Sequence, residues 1–167
     1  MKHALMPSLT NCKANPNDVI FTPIKLAKEI IAACDLKPGD TILDPFRGGG
    51  AFYDNYPDFV SKDWCELSDG KDFLQYQGKV DWIISNPPFS KLKLMIPKMA
   101  SVATKGICLI LGWWNLTSNR IRLLQKSGFT LTHMEMFDVK EWYGFRCIYV
   151  IFEANKPTMK RLSSETY

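Results

Sequence analysis

The sequence lacks several features that would place it in a specialised class of protein. No stretch approaches the 18 consecutive apolar residues of a transmembrane helix, and residues 1–16 contain no apolar segment typical of a secretory signal. The five cysteines are scattered and odd in number, and with only two histidines they offer no zinc-binding spacing. These absences favour a reduced, cytoplasmic protein without a structural disulfide, a metal site or a membrane partner.

Length and composition indicate a single globular domain. The chain has 167 residues, of which 46% are hydrophobic and 23% charged, and its formal net charge is +4. These values are typical of one folded domain with a proper core, and the mildly basic balance is compatible with a nucleic-acid partner without requiring one. We therefore treat residues 1–167 as one domain, in which the polar ends, 1–17 and 155–167, are expected to be loosely held.

Apolar strand-like runs alternate with helical patterns along the chain. Strands are predicted at 41–43, 62–66, 80–85, 106–112, 130–139 and 146–153. The tight turn around 142–144 leaves no room for a crossover helix, so the last two strands should be antiparallel. The pattern predicts an α/β fold, with an open, doubly wound, mostly parallel sheet that ends in an antiparallel hairpin.

Helices are predicted at three places between these strands, with a short helix or loop at 51–59. The first begins with Thr22 as N-cap and Pro23 as the first helical residue. The other two cover 91–102 and 119–126, and Gly128 stops the last one. The apolar face of the first helix consists of Ile24, Ala27, Ile30 and Ile31.

A glycine-rich run follows the first predicted strand. In an open parallel sheet, ligands bind at the carboxyl ends of the strands, and the residues there are Asp44-Pro45-Phe46-Arg47-Gly48-Gly49-Gly50. Such a run is either a tight strand-to-helix turn or a place where a ligand approaches the main chain. It has neither the Gly-x-Gly-x-x-Gly pattern nor the Gly-Lys-Ser/Thr of a phosphate-binding loop.

Acidic residues follow the second strand. The Glu66 carboxylate accepts hydrogen bonds, as the two hydroxyls of a ribose require, or it is a solvated acid at a strand end. Asp72 beside Phe73 suits an adenine, whose amino group donates while its face stacks on a ring. Equally, the pair is a turn aspartate before a core phenylalanine.

The most specific motif, Asn86-Pro87-Pro88-Phe89, follows the strand at 80–85. Each proline forces the preceding residue into an extended conformation, so the Asn86 side-chain oxygen and the Pro87 carbonyl can converge as a rigid pair of acceptors. Such a pair suits an amino group, which has two hydrogens to donate, and Phe89 would form a wall for a planar substrate. The alternative is a strand terminator built from turn residues.

Taken in order, Phe21-Thr22-Pro23, the 44–50 run and the 86–89 motif resemble the S-adenosylmethionine-dependent amino-methyltransferases. The similarity is strongest to N6-adenine DNA methyltransferases, and it spans residues 17–153. It implies a Rossmann-like methyltransferase fold, S-adenosylmethionine as cofactor and the N6 amine of adenine in DNA as substrate. Sequence-specific members usually carry a target-recognition domain, for which this chain has no interval. Specificity would then come from a partner or a homodimer, or the enzyme would be promiscuous, or the substrate would be recognised by shape.

The resemblance also implies roles for individual residues. Cofactor binding is assigned to Thr22, Pro23, Asp44, Phe46, Gly48, Gly50, Glu66, Asp72 and Phe73, and catalysis to Asn86, Pro87, Pro88 and Phe89. Trp142, in the final hairpin, matches an aromatic residue that stacks on an extruded base.

Further residues near the expected pocket have two interpretations each. Lys91 and Lys93 follow the 86–89 motif, where they either neutralise phosphates or form a solvated helix face. Trp113 and Trp114, at the end of the central strand, are either core and rim packing or a stacking surface for a base.

Three other functions stay open on the sequence. The same chemistry would serve an RNA adenine-N6 methyltransferase or a protein-glutamine methyltransferase. Asn-Pro-Pro-Tyr is commoner in the glutamine enzymes, and Phe89 favours a nucleobase. The third is an inactive, cofactor-binding subunit of a methyltransferase complex. The intact 86–89 motif argues against it, because a scaffold has no physical need for a converged pair of acceptors.

Overall fold

The structure, a computed structural model, describes residues 20–140, 142 and 146–157. Residues 1–17 and most of 155–167, which we expected to be loosely held, lie outside this part of the chain. The α-helices are α1 (Ile24–Ala33), α2 (Leu92–Val102) and α3 (Ser118–Lys126). The strands are β1 (Thr41–Asp44), β2 (Ser61–Trp64), β3 (Val80–Ser85), β4 (Ala103–Gly112), β5 (Phe129–Phe137) and β6 (Cys147–Ala154).

The strands form one six-stranded sheet in the order β2-β1-β3-β4-β6-β5. β1 pairs in parallel with β2 and β3, and β3 pairs in parallel with β4. β6 is antiparallel to both β4 and β5. The predicted mostly parallel sheet with an antiparallel end is therefore confirmed. The sequence pattern did not predict that β6 inserts between β4 and β5, which leaves β5 at the edge.

Helices cover both faces of the sheet, as a doubly wound fold requires. On one face, α1 packs Ala27, Ile30 and Ile31 into a core that includes Trp82 and Cys108. On the other face, α2 and α3 cover a second core that includes residues such as Ile83 and Ile107. β4 lies between them with residues 106–112 buried, as expected of a central strand.

The start of α1 differs from the prediction. Pro23 is the N-cap and the helix begins at Ile24, whose side chain is 59% exposed instead of buried. Thr22 does not cap the helix, because its hydroxyl accepts a hydrogen bond from the Asn86 amide instead. A threonine that would ordinarily cap a helix is thus directed toward the carboxyl end of β3.

The described residues include four cysteines, and they form neither a metal-site cluster nor a membrane-spanning helix. Cys34, Cys65, Cys108 and Cys147 are free thiols in the two cores, as small apolar side chains would be. Within residues 20–140, 142 and 146–157, no three histidine, cysteine, aspartate or glutamate side chains gather as a metal site. The helices in the same part of the chain are all too short or too polar to cross a bilayer.

Candidate active site

A cavity of about 260 Å³ opens where the glycine run meets the segment that precedes α1. It lies at the carboxyl edge of the parallel strands, where ligands bind in open α/β sheets. The cavity brings together five of the residues predicted from the sequence, namely Thr22, Phe46, Gly48, Gly50 and Asn86. Other side chains in its wall are Phe21, Ile24, Arg47, Asp54 and Asn55.

The Asn86 side chain is held in one orientation by two hydrogen bonds. Its Nδ2 donates to the Ile20 carbonyl oxygen at 3.2 Å and to the Thr22 hydroxyl at 3.3 Å. Because both bonds use the amide nitrogen, the carbonyl oxygen Oδ1 is left as the acceptor that this side chain presents. Residues that precede α1 therefore fix the orientation of the Asn86 amide, and its acceptor role toward a substrate stays a prediction.

Of the rest of the motif, only Pro87 is more deeply buried than Asn86. Pro87 is buried, and Pro88 precedes a single 3-10 turn that leads directly into α2. Phe89 is half-buried and packs against the core beneath α2. These three residues do not form part of the cavity wall, so the ring of Phe89 serves packing as well as any contact with a planar substrate.

The glycine run is a tight turn whose shape depends on its glycines. Gly48 and Gly50 have φ values of +49° and +84°, in the left-handed region. A Cβ added at Gly50 would overlap the Asp54 carboxylate. The Gly48 N–H donates to Oε2 of Glu66 at 2.8 Å, so the carboxylate at the end of β2 holds the loop in place.

Asp44 lies fully buried beneath this loop. Its Oδ1 accepts hydrogen bonds from the Ser85 hydroxyl at 2.6 Å and from the Phe46 N–H at 3.3 Å. Its Oδ2 has no hydrogen-bond partner among the described residues. Burial raises the pKa of Asp44 to about 7 in spite of these two bonds and of the nearby Tyr53 backbone N–H, which also favours the ionised form. A buried acceptor without a donor is rare in folded proteins, and it marks a place where a donor group of a ligand would fit.

Glu66 and Asp72 border the loop from the β2 side. The second carboxylate oxygen of Glu66 accepts from the N–H and the hydroxyl of Ser68, at 3.3 and 3.2 Å. Asp72 accepts from the Leu74 N–H at 2.9 Å and so caps a short 3-10 turn. Both carboxylates have a local structural role, and Glu66 in addition contacts the glycine run through Gly48.

The expected ring surface of Phe73 is not available. Its side chain is 1% exposed and belongs to the core, where it meets the Phe46 ring edge-on at a centroid distance of 5.6 Å. The aromatic residues in the wall of the cavity are Phe21, Phe46 and Phe52 instead. The reason is that Phe73 begins a turn whose side chains pack inward beneath the sheet edge.

Arg47 is a further residue of the site, and it was not predicted. Its guanidinium lies between the rings of Tyr53 and Trp64, at 5.1 and 4.9 Å from their centroids, and Nη2 is 3.4 Å from Asp54. These contacts attach the glycine run to β2. No local pattern indicates them, because Trp64 comes next to the loop only through the pairing of β1 with β2.

Comparison with known proteins supports the fold. No family model and no curated protein matches the sequence. A precorrin-6y C5,15-methyltransferase from Geobacter metallireducens is similar in structure, with a TM-score of 0.59 and 12% identity over 91% of this chain and 98% of that one. Magnesium protoporphyrin IX methyltransferase from Synechocystis, solved with bound S-adenosylmethionine, has a TM-score of 0.53 and 15% identity. This match covers 78% of this chain and 76% of that one. The chain has a Rossmann-like methyltransferase fold.

A third similar structure is that of a restriction-enzyme subunit. It is a protein assigned as a modification subunit of a type I restriction enzyme from Vibrio vulnificus, with a TM-score of 0.59 and 12% identity. The match covers 87% of this chain and 46% of that one. At these identities the likeness extends to the fold, and the fold expected from the sequence is confirmed.

Trp142, which was expected to present a stacking surface, is buried. Trp142 is 9% exposed, packs against Phe137 at 6.2 Å and donates its backbone N–H to the Val139 carbonyl. It therefore has no free face for an extruded base in this structure. Its neighbours Tyr143 and Gly144 lie outside the described residues. The Trp142 ring belongs to the core on the α1 side of the sheet, together with Ile30 and Phe137.

Exposed aromatic side chains are found instead at the end of β4. Trp113 is 54% exposed and Trp114 is 48% exposed. The sequence left these residues undecided between rim packing and stacking, and their exposure excludes a place in the core. Lys91 and Lys93 lie at the start of α2, half-buried and exposed respectively, and neither forms part of the cavity wall.

Proposed function

We propose that this protein transfers a methyl group from S-adenosylmethionine to the exocyclic N6 amine of adenine in DNA. The observation that carries the proposal is the orientation of Asn86, whose Nδ2 is bound to Ile20 and Thr22 so that Oδ1 serves as an acceptor. This acceptor lies in the wall of the cavity that the glycine run also lines.

The residues around the glycine run fit S-adenosylmethionine. The unpartnered Oδ2 of Asp44 suits the ammonium group of the methionine part, and the Glu66 carboxylate suits the ribose hydroxyls. The left-handed Gly48 and Gly50 leave main-chain atoms open to a ligand, beside the Phe46 ring. A structure of the same fold that contains this cofactor adds support.

Thr22, Pro23, Asp72 and Phe73 complete the proposed cofactor site, as the resemblance implies. Thr22 lies in the cavity wall and Pro23 caps α1 beside it. Asp72 and Phe73 would contribute through the carboxylate and the main chain, because the Phe73 ring is buried. When bound, S-adenosylmethionine supplies a methyl group that its sulfonium already activates.

The protein has to make a poor nucleophile reactive. The lone pair of adenine N6 is delocalised into the ring, so the amine is planar and weakly nucleophilic. Oδ1 of Asn86 and the carbonyl of Pro87 would accept its two hydrogens, which favours a pyramidal nitrogen with a localised lone pair. Fixed acceptors of this kind would stabilise the positive charge that develops on the nitrogen as the N–CH3 bond forms and the S–CH3 bond breaks, without acting as a base. The methylated nitrogen would then release one proton to solvent. Pro88 keeps Pro87 extended and Phe89 borders the base.

The DNA substrate is supported by the protein assigned as a restriction-modification subunit, which has the same fold. A target base in duplex DNA would have to leave the stack to reach a cavity of this kind. A specificity partner or a second copy of the chain would supply sequence recognition.

Nucleoside mass spectrometry tests the proposal. The protein is incubated with S-adenosylmethionine and, in parallel, unmethylated duplex DNA, single-stranded DNA and total RNA. We expect N6-methyldeoxyadenosine in DNA, and we expect Asn86→Ala to abolish it while calorimetry still detects cofactor binding. Asn86→Asp retains an acceptor but cannot donate to Ile20, so it should also be inactive. Gln125→Ala removes an exposed amide on α3 and serves as the matched control.

Two outcomes would contradict the proposal. N6-methyladenosine in RNA alone would refute the DNA substrate and retain the chemistry. Cofactor binding without product in any of the three nucleic acids would refute independent catalysis and favour a cofactor-binding subunit that needs a partner.

A further inference from the structure

The charges of this protein are segregated along the chain. Residues 82–134 contain seven lysines and arginines and no aspartate or glutamate. All seventeen acidic residues lie outside this segment, together with the other fourteen basic ones. The segment contains the 86–89 motif, α2, β4 and α3. The elements that follow the proposed target-amine site therefore contain basic residues and no acidic ones, a composition that favours an anionic ligand.

Only some of these cations face solvent near the site. Lys98 donates to the Tyr76 carbonyl, and Lys105 is paired with Asp40 and Asp81. Lys93, in the first turn of α2, and Arg122, near the middle of α3, are exposed. Neither forms an ion pair with any other residue between 20 and 157 that the structure describes.

Two exposed tryptophans lie at the same edge of the sheet. Trp113 and Trp114 follow β4, which pairs with β3 through Leu109 and Ser85. Asn86 comes directly after Ser85, so the tryptophans and the acceptor both lie beyond the carboxyl ends of adjacent strands. Trp113, with 54% exposure, contacts its surroundings through a backbone hydrogen bond to the Arg146 carbonyl.

The turn that carries these rings is held rigidly. Nη1 of Arg120 donates to the backbone oxygen of Asn115 at 2.6 Å and to its side-chain oxygen at 3.0 Å. The Trp114 ring lies so close to Gly112 that a Cβ there would come within 2.9 Å of it. An aromatic side chain held on a fixed turn loses little conformational entropy when a ligand stacks on it.

Resting on the proposed function, we propose that this face binds a single-stranded segment of the nucleic acid beside the target base. A base stacks on Trp113, and phosphates contact Lys93 and Arg122. Aromatic faces interleaved with cations are the usual composition of single-strand binding surfaces. We name Trp113, Trp114, Lys93 and Arg122 the Trp113 surface. It provides the exposed aromatic face that the buried Trp142 does not.

Oligonucleotide binding without turnover tests the inference. Fluorescence anisotropy of a labelled 12-mer is measured with single-stranded DNA, RNA of the same sequence and duplex DNA, in the absence of S-adenosylmethionine. Trp113→Ala should weaken single-strand binding roughly 5- to 150-fold, the range that stacking of one base covers. Trp113→Phe keeps an aromatic face and should retain most of the affinity, which separates stacking from misfolding.

The phosphate contacts have their own signature. For a single strand, each lost phosphate contact should lower the slope of log affinity against log salt by about 0.7. We expect this change for Lys93→Ala and for Arg122→Ala. Lys126→Ala, at the far end of α3, is the matched control and should keep the wild-type slope.

The outcomes distinguish this inference from the proposed function. Affinity of Trp113→Ala within twofold of wild type, or tighter binding of duplex than of single strands, would overturn the inference even if DNA is methylated. Trp113-dependent binding without any methylated product would support it and overturn the proposed function instead. The DNA and RNA arms show which nucleic acid the surface prefers.

Discussion

Asp44 links the stability of this protein to pH in the direction opposite to most aspartates. An exposed aspartate has a pKa of 3.8, whereas burial raises that of Asp44 to about 7. Between these two values the unfolded chain is ionised while the folded chain keeps its proton. Folding stability is therefore greatest below pH 4 for this group and is lost as the pH rises through 7.

The size of the effect follows from the pKa difference. A shift from 3.8 to about 7 corresponds to about 4 kcal/mol in total. Of this, about 3 kcal/mol is lost between pH 5 and pH 8, mostly below pH 7, where the folded state still holds the proton that the unfolded chain has released. Asp44→Asn removes the charge at every pH. Between pH 5 and pH 8, the free energy of unfolding of the variant should therefore fall by about 3 kcal/mol less than that of wild type.

Urea unfolding at pH 5, 6, 7 and 8, followed by tryptophan fluorescence at constant ionic strength, measures the difference. Asp58→Asn, which removes an exposed carboxylate, is the control and should follow wild type. If the free energy of unfolding changes equally with pH in wild type and in Asp44→Asn, the reasoning is refuted. If Asp44 holds the ammonium group of S-adenosylmethionine as proposed, the cofactor should bind wild type about tenfold more weakly for each pH unit below 7, because only the ionised carboxylate would accept from that group.

Other predictions concern the glycines and Thr22. Gly39 and Gly50 have similar left-handed φ values, but only at Gly50 would a Cβ meet another atom. Gly39→Ala should lower the free energy of unfolding by about 1 kcal/mol and leave S-adenosylmethionine binding unchanged. Gly50→Ala should lower both the stability and the affinity for S-adenosylmethionine, as measured by calorimetry. Gly106→Ala would push into a tryptophan ring and should lower the free energy of unfolding by about 2 kcal/mol in urea titrations. Thr22→Val should slow single-turnover methylation roughly fivefold by freeing Asn86, and Thr22→Ser should restore it.

The methyltransferase fold places its expected parts in two groups. The first group is the glycine run, which begins at Asp44. It is attached to the β2 side by Arg47 on Trp64 and by the hydrogen bond from Gly48 to Glu66. Asn86 lies beyond β3, and the exposed tryptophans lie beyond β4. The proposed cofactor site and the proposed substrate surface therefore occupy neighbouring strand ends, as group transfer between two bound molecules requires.

Local patterns were sufficient for most elements. The apolar run of β4, the alternation of strands and helices, and the close spacing of β5 and β6 each predicted what the structure contains. Thr117 caps α3 through the Arg120 N–H, as a threonine before a helix usually does. Thr22 has the same local context but binds Asn86, because a partner 64 residues away competes for its hydroxyl.

The amino-acid sequence by itself determined the order of elements, the two motifs at strand ends and the acid-free segment 82–134. Only the tertiary structure decided that β6 lies between β4 and β5, that the Asn86 amide is oriented by the segment before α1, and that Trp142 is buried while Trp113 is exposed. Periodicity reports which residues prefer to be buried. It does not report which distant segment covers them, because burial and hydrogen bonding depend on chain segments that folding brings together.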